Sequence, residues 1–406
     1  METGAPVDAV SDPEAAISVL RSADESSNRV LLALCLGSFV ATLTFVAPAP
    51  FLSDMADDLD VGVPLLGQLV TAMTLLGVPL ALVAGPLADH RGHRRLILFG
   101  LVAAAACLFN IGLAPTFALL LLSALAGALA DATVPGLSLA VAGTYFSGAA
   151  SRRAIGWTVG SLASAAIIGV PIMALVGDVL GWRITFLGAG GVALAVGGVA
   201  SRWLPHDSRN PDGPFRLRSL ATAYRPLLGD RSMLNLYASS VLRSACWIGM
   251  LTYFGAFLKD ELRFTTGQVG LTYMLGGGGY FLGSLAAGGP FARIPPRPLV
   301  AGANMAMAVL MGLAFSAVLG AAGSVALLPL AGIAGAVGWV GLASLLTTET
   351  PAGVGATMTL SGAVFNLGGA AGGAFGGLLL YLAGYTALAV CLPVFAVASG
   401  ALVWRR

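Results

Sequence analysis

Charge is scarce in this sequence: Asp, Glu, Lys and Arg together supply 10% of its 406 residues, against roughly 25% in a soluble globular chain. So few ionisable groups cannot clothe a water-facing surface. Histidine is scarcer still, and His90, His93 and His206 all lie outside the apolar stretches. That excludes a buried imidazole base and leaves no metal site to expect. Cys35, Cys107, Cys246 and Cys391 stand singly within apolar sequence, so they read as small buried hydrophobes, not as a disulfide framework or a zinc site. The phosphate-binding pattern G-x-x-x-x-G-K-[ST] is missing, which argues against ATP-driven work. A net charge of +2, spread over short loops, gives no field for a polyanion, and nucleic acid is not an expected partner. No reactive cluster suggests an enzyme, and no cofactor is expected.

What is abundant is apolar and small. Hydrophobic types make up 57% of the chain and glycine occupies 55 positions. A membrane helix needs about 20 mostly apolar residues, and the charge-poor stretches divide into twelve of them. They fall near 29–50, 64–88, 95–113, 117–144, 154–177, 184–202, 233–257, 267–288, 298–318, 324–348, 354–378 and 385–403. Two of these divisions rest on small residues, Gly320–Gly323 and Ala383–Gly384, that interrupt runs too long for one helix. The expected fold class is an all-α membrane protein embedded in the lipid bilayer.

Arginine and lysine in short loops mark the cytoplasmic side. An even number of spans with a cytoplasmic start puts Arg91, Arg94, Arg95, Arg152, Arg153, Arg202, Arg293 and Arg297 inside, and only Arg183, Lys259 and Arg263 outside. The same topology places Asp54, Asp57, Asp58 and Asp60 in the first external loop. Both termini are then cytoplasmic in a multi-pass plasma-membrane or bacterial inner-membrane protein. Residues 1–28 carry several acids and no basic region leading into a cleavable apolar stretch, so they are expected as a cytoplasmic tail, not a signal peptide. The proline-rich interval 203–230, with an amphipathic stretch around Phe215–Leu228, is a cytoplasmic linker between a first six-helix bundle (29–202) and a second (231–406).

Small residues at four-residue spacing let helices approach closely in lipid. Gly156, Gly160 and Ser164 form one such ridge, Gly279 and Gly283 a second, and Gly369, Gly373 and Gly377 a third. The run Gly276–Gly279 could in addition permit bending.

After the second span comes Gly85-Pro86-Leu87-Ala88-Asp89-His90-Arg91-Gly92-His93-Arg94-Arg95, which closely resembles the signature loop between helices 2 and 3 of the major facilitator superfamily. The resemblance implies twelve helices in two pseudo-symmetric six-helix bundles. It also implies a conformational latch in which Gly85, Asp89, Arg91, Gly92, Arg94 and Arg95 hold the outward-open state and let go when the cytoplasmic side opens. Gly169-Val170-Pro171 with Gly177 resembles the fifth-helix motif of the proton-driven exporters, and the whole chain looks like the twelve-helix drug:proton antiporter and sugar-efflux branch. Two departures stand out. Ser123 occupies the place of the arginine that precedes the helix-4 glycine, Gly127, in that family, and the second-half loop Gly283–Pro290 lacks the acidic residue of the first-half signature.

Two ionisable side chains lie deep in spans, where a charge carries a penalty of a few kcal/mol or more and marks function by default. Asp131 is about 15 residues into the fourth span, roughly 22 Å at 1.5 Å per residue. Arg243 lies at similar depth in the seventh. By family analogy helices 1, 4, 7 and 10 line a central cavity, so the two charges face a common space and are candidates for proton coupling: Asp131 alternately protonated and ionised under the control of Arg243. A permanent Asp–Arg bridge that only fixes packing is the competing reading. Thr42, Thr44, Gln68, Tyr237, Ser240, Trp247, Tyr273, Trp339 and Asn366 are candidate cavity residues.

The reading that follows is a monomeric secondary transporter that exports a small organic compound, an amphiphilic drug or a sugar-like solute, in exchange for protons by alternating access. Proton-coupled uptake of a small organic anion is the alternative, and a non-transporting receptor or scaffold a remoter one.

Overall fold

The computed structural model describes the backbone of residues 13–205 and 224–404, with their side chains except those of 13–26, 89 and 149. Long helices account for nearly all of it. We number them α1 (Pro13–Val46), α2 (Gln68–Arg91), α3 (His93–Leu113), α4 (Phe117–Tyr145), α5 (Gly148–Ser164, a π-helical turn Ala165–Gly169, then Val170–Leu180) and α6 (Trp182–Trp203) in the first half. The second half holds α7 (Arg231–Asp260), α8 (Thr266–Gly288), α9 (Pro296–Ser316), α10 (Gly320–Thr348) and the 51-residue stretch Val354–Trp404. That stretch breaks at Gly384, where φ is 70° and ψ −169°, into α11 (354–383) and α12 (385–404). α1 already begins at Pro13, so the later part of the expected tail is helical. The amphipathic stretch expected at Phe215–Leu228 lies largely outside the described residues.

Ten stretches among the described residues are long and apolar enough to cross a membrane. The protein is an all-α multi-pass membrane protein. α8 is not among the ten, because its consecutive glycines lower its mean hydropathy. The backbone turns where small or left-handed residues allow it: Gly92 (φ 95°) between α2 and α3, Gly181 (φ 80°) between α5 and α6, Ala317 (φ 51°) and Gly320 (φ 69°) between α9 and α10. Only glycine adopts these positive φ values without steric cost.

Buried apolar side chains gather into two large cores. One is drawn from residues 30–204 with Ala256 as its sole outside member, and the other from 246–396 with Val70. Glycines set the spacing between helices. A Cβ on Gly279 would strike the Pro329 carbonyl of α10, and one on Gly283 the Ile333 carbonyl. On Gly369 and Gly373 it would meet Thr74 and Thr71 of α2. α8 continues as a helix through Gly276–Gly279, and the run packs closely, with a Cβ on Gly276 or Gly279 meeting α10 and one on Gly277 meeting α5. The Gly156–Gly160 ridge behaves differently from a helix contact: a Cβ at either position meets nothing within 4 Å.

The two halves meet on the expected outer face. Asp54, in the short helix Leu52–Asp58, forms an ion pair with Lys259 and accepts a hydrogen bond from the Thr266 hydroxyl at 2.7 Å. Ser53 donates to Asp260 at 3.0 Å. Asp178, near the end of α5, accepts from the Thr265 hydroxyl and the Gly267 N–H, each at 2.9 Å. Toward the expected inner face, a Cβ on Gly85 of α2 or Gly362 of α11 would meet open space.

Candidate functional site

Between the halves lies a cavity of about 470 Å³ whose wall draws on α1, α2, α4, α5, α7, α8, α10 and α11. Its surface is mostly aliphatic and aromatic, with Phe45, Trp247, Tyr273, Tyr280 and Phe365 supplying the rings. Among the described residues Asp131 is the only acid on the wall, and no Lys, Arg or His joins it. The acid is placed by α4, which Thr116 starts by accepting the Leu119 N–H. Pro135 follows one turn later on the same face and lines the same space.

Arg243 does not line this cavity. It is 1% exposed and lies within the second half, where its Nη2 donates to the Gly335 carbonyl and its guanidinium stands 5.7 Å from the Trp339 ring centroid. The Tyr280 hydroxyl faces it as a hydrogen-bonding neighbour, and the Tyr280 ring packs on Trp247 with centroids 5.7 Å apart. Tyr280 and Trp247 line the cavity, whereas Arg243 does not. Among the described residues Asp131 and Arg243 form no ion pair with each other; the described pairs are Arg183–Asp58, Lys259–Asp54 and Arg297–Glu349.

Behind Arg243 runs a second polar group. Ser399 donates to the Ser239 carbonyl at 2.8 Å and accepts the Asn304 amide N–H at 2.9 Å. Ser399 and Ser239 also pair through their hydroxyls at 2.7 Å. The Asn304 Oδ1 faces Gly338, where neither it nor the Arg243 Nε has a protein partner. Leaving such groups unpaired in low dielectric is costly.

Of the remaining sequence candidates, Thr42, Trp247 and Tyr273 line the cavity with Asp131. Tyr273 is fixed by accepting the Gly255 N–H at 3.1 Å. Thr44 turns instead to the Ala41 carbonyl at 2.7 Å, the usual behaviour of threonine in a membrane helix. Gln68 donates to Pro64 at 3.1 Å, and Asn366 packs against Gly77, both at the α2–α11 contact. Tyr237 donates to the Thr357 carbonyl at 3.3 Å, and Ser240 is buried without a partner. Trp339 sits behind the wall, edge-on to Phe365 at 5.7 Å. The sequence reading missed Tyr280; its signal was a phenol directly after four glycines, two turns beyond Tyr273 on the same helix.

In the latch, Gly92 supplies the left-handed turn and Arg94 donates to the Ser201 carbonyl of α6 at 2.6 Å, inside its own half. Gly85 faces open space. Arg91 ends α2, and Arg95 lies in the first turn of α3. The Asp89 side chain lies outside the described residues. In the fifth-helix motif, a Cβ on Gly169 would approach Leu43 and Phe39 of α1 to 2.7 and 2.9 Å, and one on Gly177 would strike Phe51. Pro171 stands two residues after the end of the π-helical turn, in the first turn of the helix that follows, as expected where proline withholds an N–H from the ladder.

A chain of long membrane-crossing helices enclosing one central cavity is the architecture of a membrane carrier. Residues 34–353 match the family model of the Major Facilitator Superfamily; the chain belongs to that family, is a secondary transporter of small organic solutes and is not an enzyme. It is 26% identical over 370 residues to an inner membrane transport protein, YdhP, of Escherichia coli, covering 87% of this chain and 89% of that one. It is also 26% identical over 268 residues to a probable sugar efflux transporter of Helicobacter acinonychis, covering 64% and 66%. Among solved structures, a bacterial homolog of the human lysosomal transporter Spinster, crystallised inward-facing, superposes with a TM-score of 0.71 at 16% identity over 93% of this chain and 95% of that one.

Proposed function

We propose that this protein is a twelve-span exporter of the drug:proton antiporter and sugar-efflux branch, with two six-helix bundles (29–202 and 231–406) rocking around the central cavity. α8 and the division at Gly384 bring the ten apolar stretches to twelve spans. Both termini, the 1–28 tail, the Arg91–Arg95 loop and the 203–230 linker face the cytoplasm. The contacts at Asp54 and Asp178 close the external face, so the arrangement described is the inward-open one.

The observation that carries the reading is Asp131. A single carboxyl on an otherwise apolar wall can rest there neutral with a proton, or charged with a partner, and each condition favours a different side being open. Arg243, withdrawn behind Tyr280 in the inward-open state, is the cation whose return toward the cavity drives the proton off. Uptake of an organic anion is disfavoured because the cavity offers an acid and no base.

The test is flux in proteoliposomes holding the purified monomer. With an acidic lumen, solute supplied outside accumulates inside as protons leave. Reversing the gradient reverses the flux. Solute moving in the same direction as protons contradicts exchange.

A further inference from the structure

Two glycines of α10, three residues apart on one face, shape the place where the Arg243 guanidinium lies. Gly335 supplies the carbonyl that receives Nη2. Gly338 supplies room: a Cβ there would stand 2.8 Å from the Asn304 Oδ1 and 3.5 Å from the Arg243 Nε. Arg243 and Asn304 are 1% and 0% exposed, and neither of these two atoms has a protein partner. Two orphaned polar groups, on α7 and α9, therefore border one spot. The Ala303 Cβ, 3.5 Å from the same point, closes it from a third side.

The orphans are of opposite kind. An arginine Nε–H only donates and an amide oxygen only accepts, so a species joining them must accept from the first and donate to the second. Water does both, and buried waters settle on polar groups that the protein leaves unsatisfied. Chloride would accept from Nε–H but has no proton for Oδ1, and a metal cation would be repelled by the guanidinium. Asn304 is itself held from behind. Its amide N–H is received by Ser399 of α12 at 2.9 Å, and Ser399 donates at 2.8 Å to the carbonyl of Ser239, one turn before Arg243 on α7. The chain of contacts thus returns to the arginine's own helix.

We propose that Arg243 Nε, Asn304 Oδ1 and the bare face of Gly338 bind a single buried water, and that through it Asn304 is the positioning residue for Arg243. The water satisfies the guanidinium nitrogen that Gly335 and Tyr280 do not reach, and it does so with a neutral partner. A neutral partner holds the cation in place without the ion pair that would pin it there. The site stands on the side-chain geometry alone; its part in transport rests on the exchange reading, in which Arg243 moves.

The experiment measures melting temperature of the full-length protein in detergent, each variant being made with Arg243 present and in the Arg243→Met background. Gly338→Ala puts a methyl where the water binds and strands the Arg243 Nε–H. It lowers the melting temperature with Arg243 present and by roughly half as much or less in the background that has no N–H to strand, a non-additivity expected of groups in contact. Asn304→Leu shows the same asymmetry and keeps the test open should Gly338→Ala fail to fold. Equal losses in both backgrounds for both variants would reveal plain packing and overturn the proposal, as would a melting temperature that depends on chloride. Asn304→Asp replaces the neutral partner by a charged one. It melts as wild type with Arg243 present and far lower without it, where the buried carboxylate is uncompensated. In proteoliposomes the same variant loses about tenfold or more of its gradient-driven flux, a factor of ten being about 1.4 kcal/mol, because Arg243 is pinned. The melting asymmetry with undiminished Asn304→Asp flux would overturn the positioning role and the mobile Arg243 of the exchange reading, leaving the water site; lost flux with no asymmetry would overturn the site and leave that reading.

Discussion

Asp178 of α5 caps α8: its Oδ2 accepts the Gly267 N–H at 2.9 Å across a separation of 89 residues. The acceptor is a carboxylate and the donors are the unsatisfied amides of a helix start, where a negative charge is favoured. Thr265 holds the same turn in a capping box with Gln268. Gly267 is needed for the approach, since a Cβ there would press on Asp178 Oδ2. This one carboxylate thus joins the two halves of the chain on the expected outer face.

Asp178→Asn weakens that closure. Hydrogen bonds to charged groups contribute about 1.5–3 kcal/mol, so the outward-open population rises about tenfold or more. The readout is the rate at which a membrane-impermeant thiol reagent applied from outside labels a cysteine placed at Thr252 on the cavity wall. Gly267→Ala gives the same direction of change. An unaltered labelling rate in both variants would show that the cap does not hold the face shut.

Glycines with neighbours and glycines without them predict opposite outcomes. Gly279→Ala drives a methyl into the Pro329 carbonyl and costs about 1–3 kcal/mol, as overpacking does, lowering the melting temperature of the detergent-solubilised protein. Gly156→Ala and Gly160→Ala meet open space and leave the melting temperature unchanged. A melting loss at Gly156 equal to that at Gly279 would contradict the account.

Much of the fold was legible in the sequence because lipid imposes simple rules. Apolar length located the helices, and the two divisions inside over-long runs fell at Gly320 and Gly384, residues whose positive φ breaks a helix. Asp131 was legible as an acid with no business in hydrocarbon. The partners of the charges were not. Asp178 reaches across to α8, and Arg183 pairs with Asp58 at 2.7 Å within its own half. Such pairings join residues about 90 to 125 positions apart, and helical periodicity carries no information over that distance. The Gly156–Gly160 ridge misled for a related reason: spacing shows that a face is smooth, not whether a neighbour occupies it in a given state.

Arg243 yields a less intuitive expectation. It is a buried cation without a described carboxylate, and replacing buried charge by an apolar group of similar volume is often neutral or stabilising by about 1–4 kcal/mol. Arg243→Met therefore keeps or raises the melting temperature while flux driven by a proton gradient falls sharply. A variant with lower stability and intact coupled flux would instead assign Arg243 to packing alone.

The most direct measurement compares wild type with Asp131→Asn in proteoliposomes, recording solute movement with and without an imposed pH gradient. Asparagine keeps the size and polarity of the side chain but neither releases nor accepts the proton. In the variant the gradient no longer drives accumulation, while solute-for-solute exchange across the same membrane persists at reduced affinity. Full gradient-driven accumulation by Asp131→Asn would contradict the assignment of the proton to this residue.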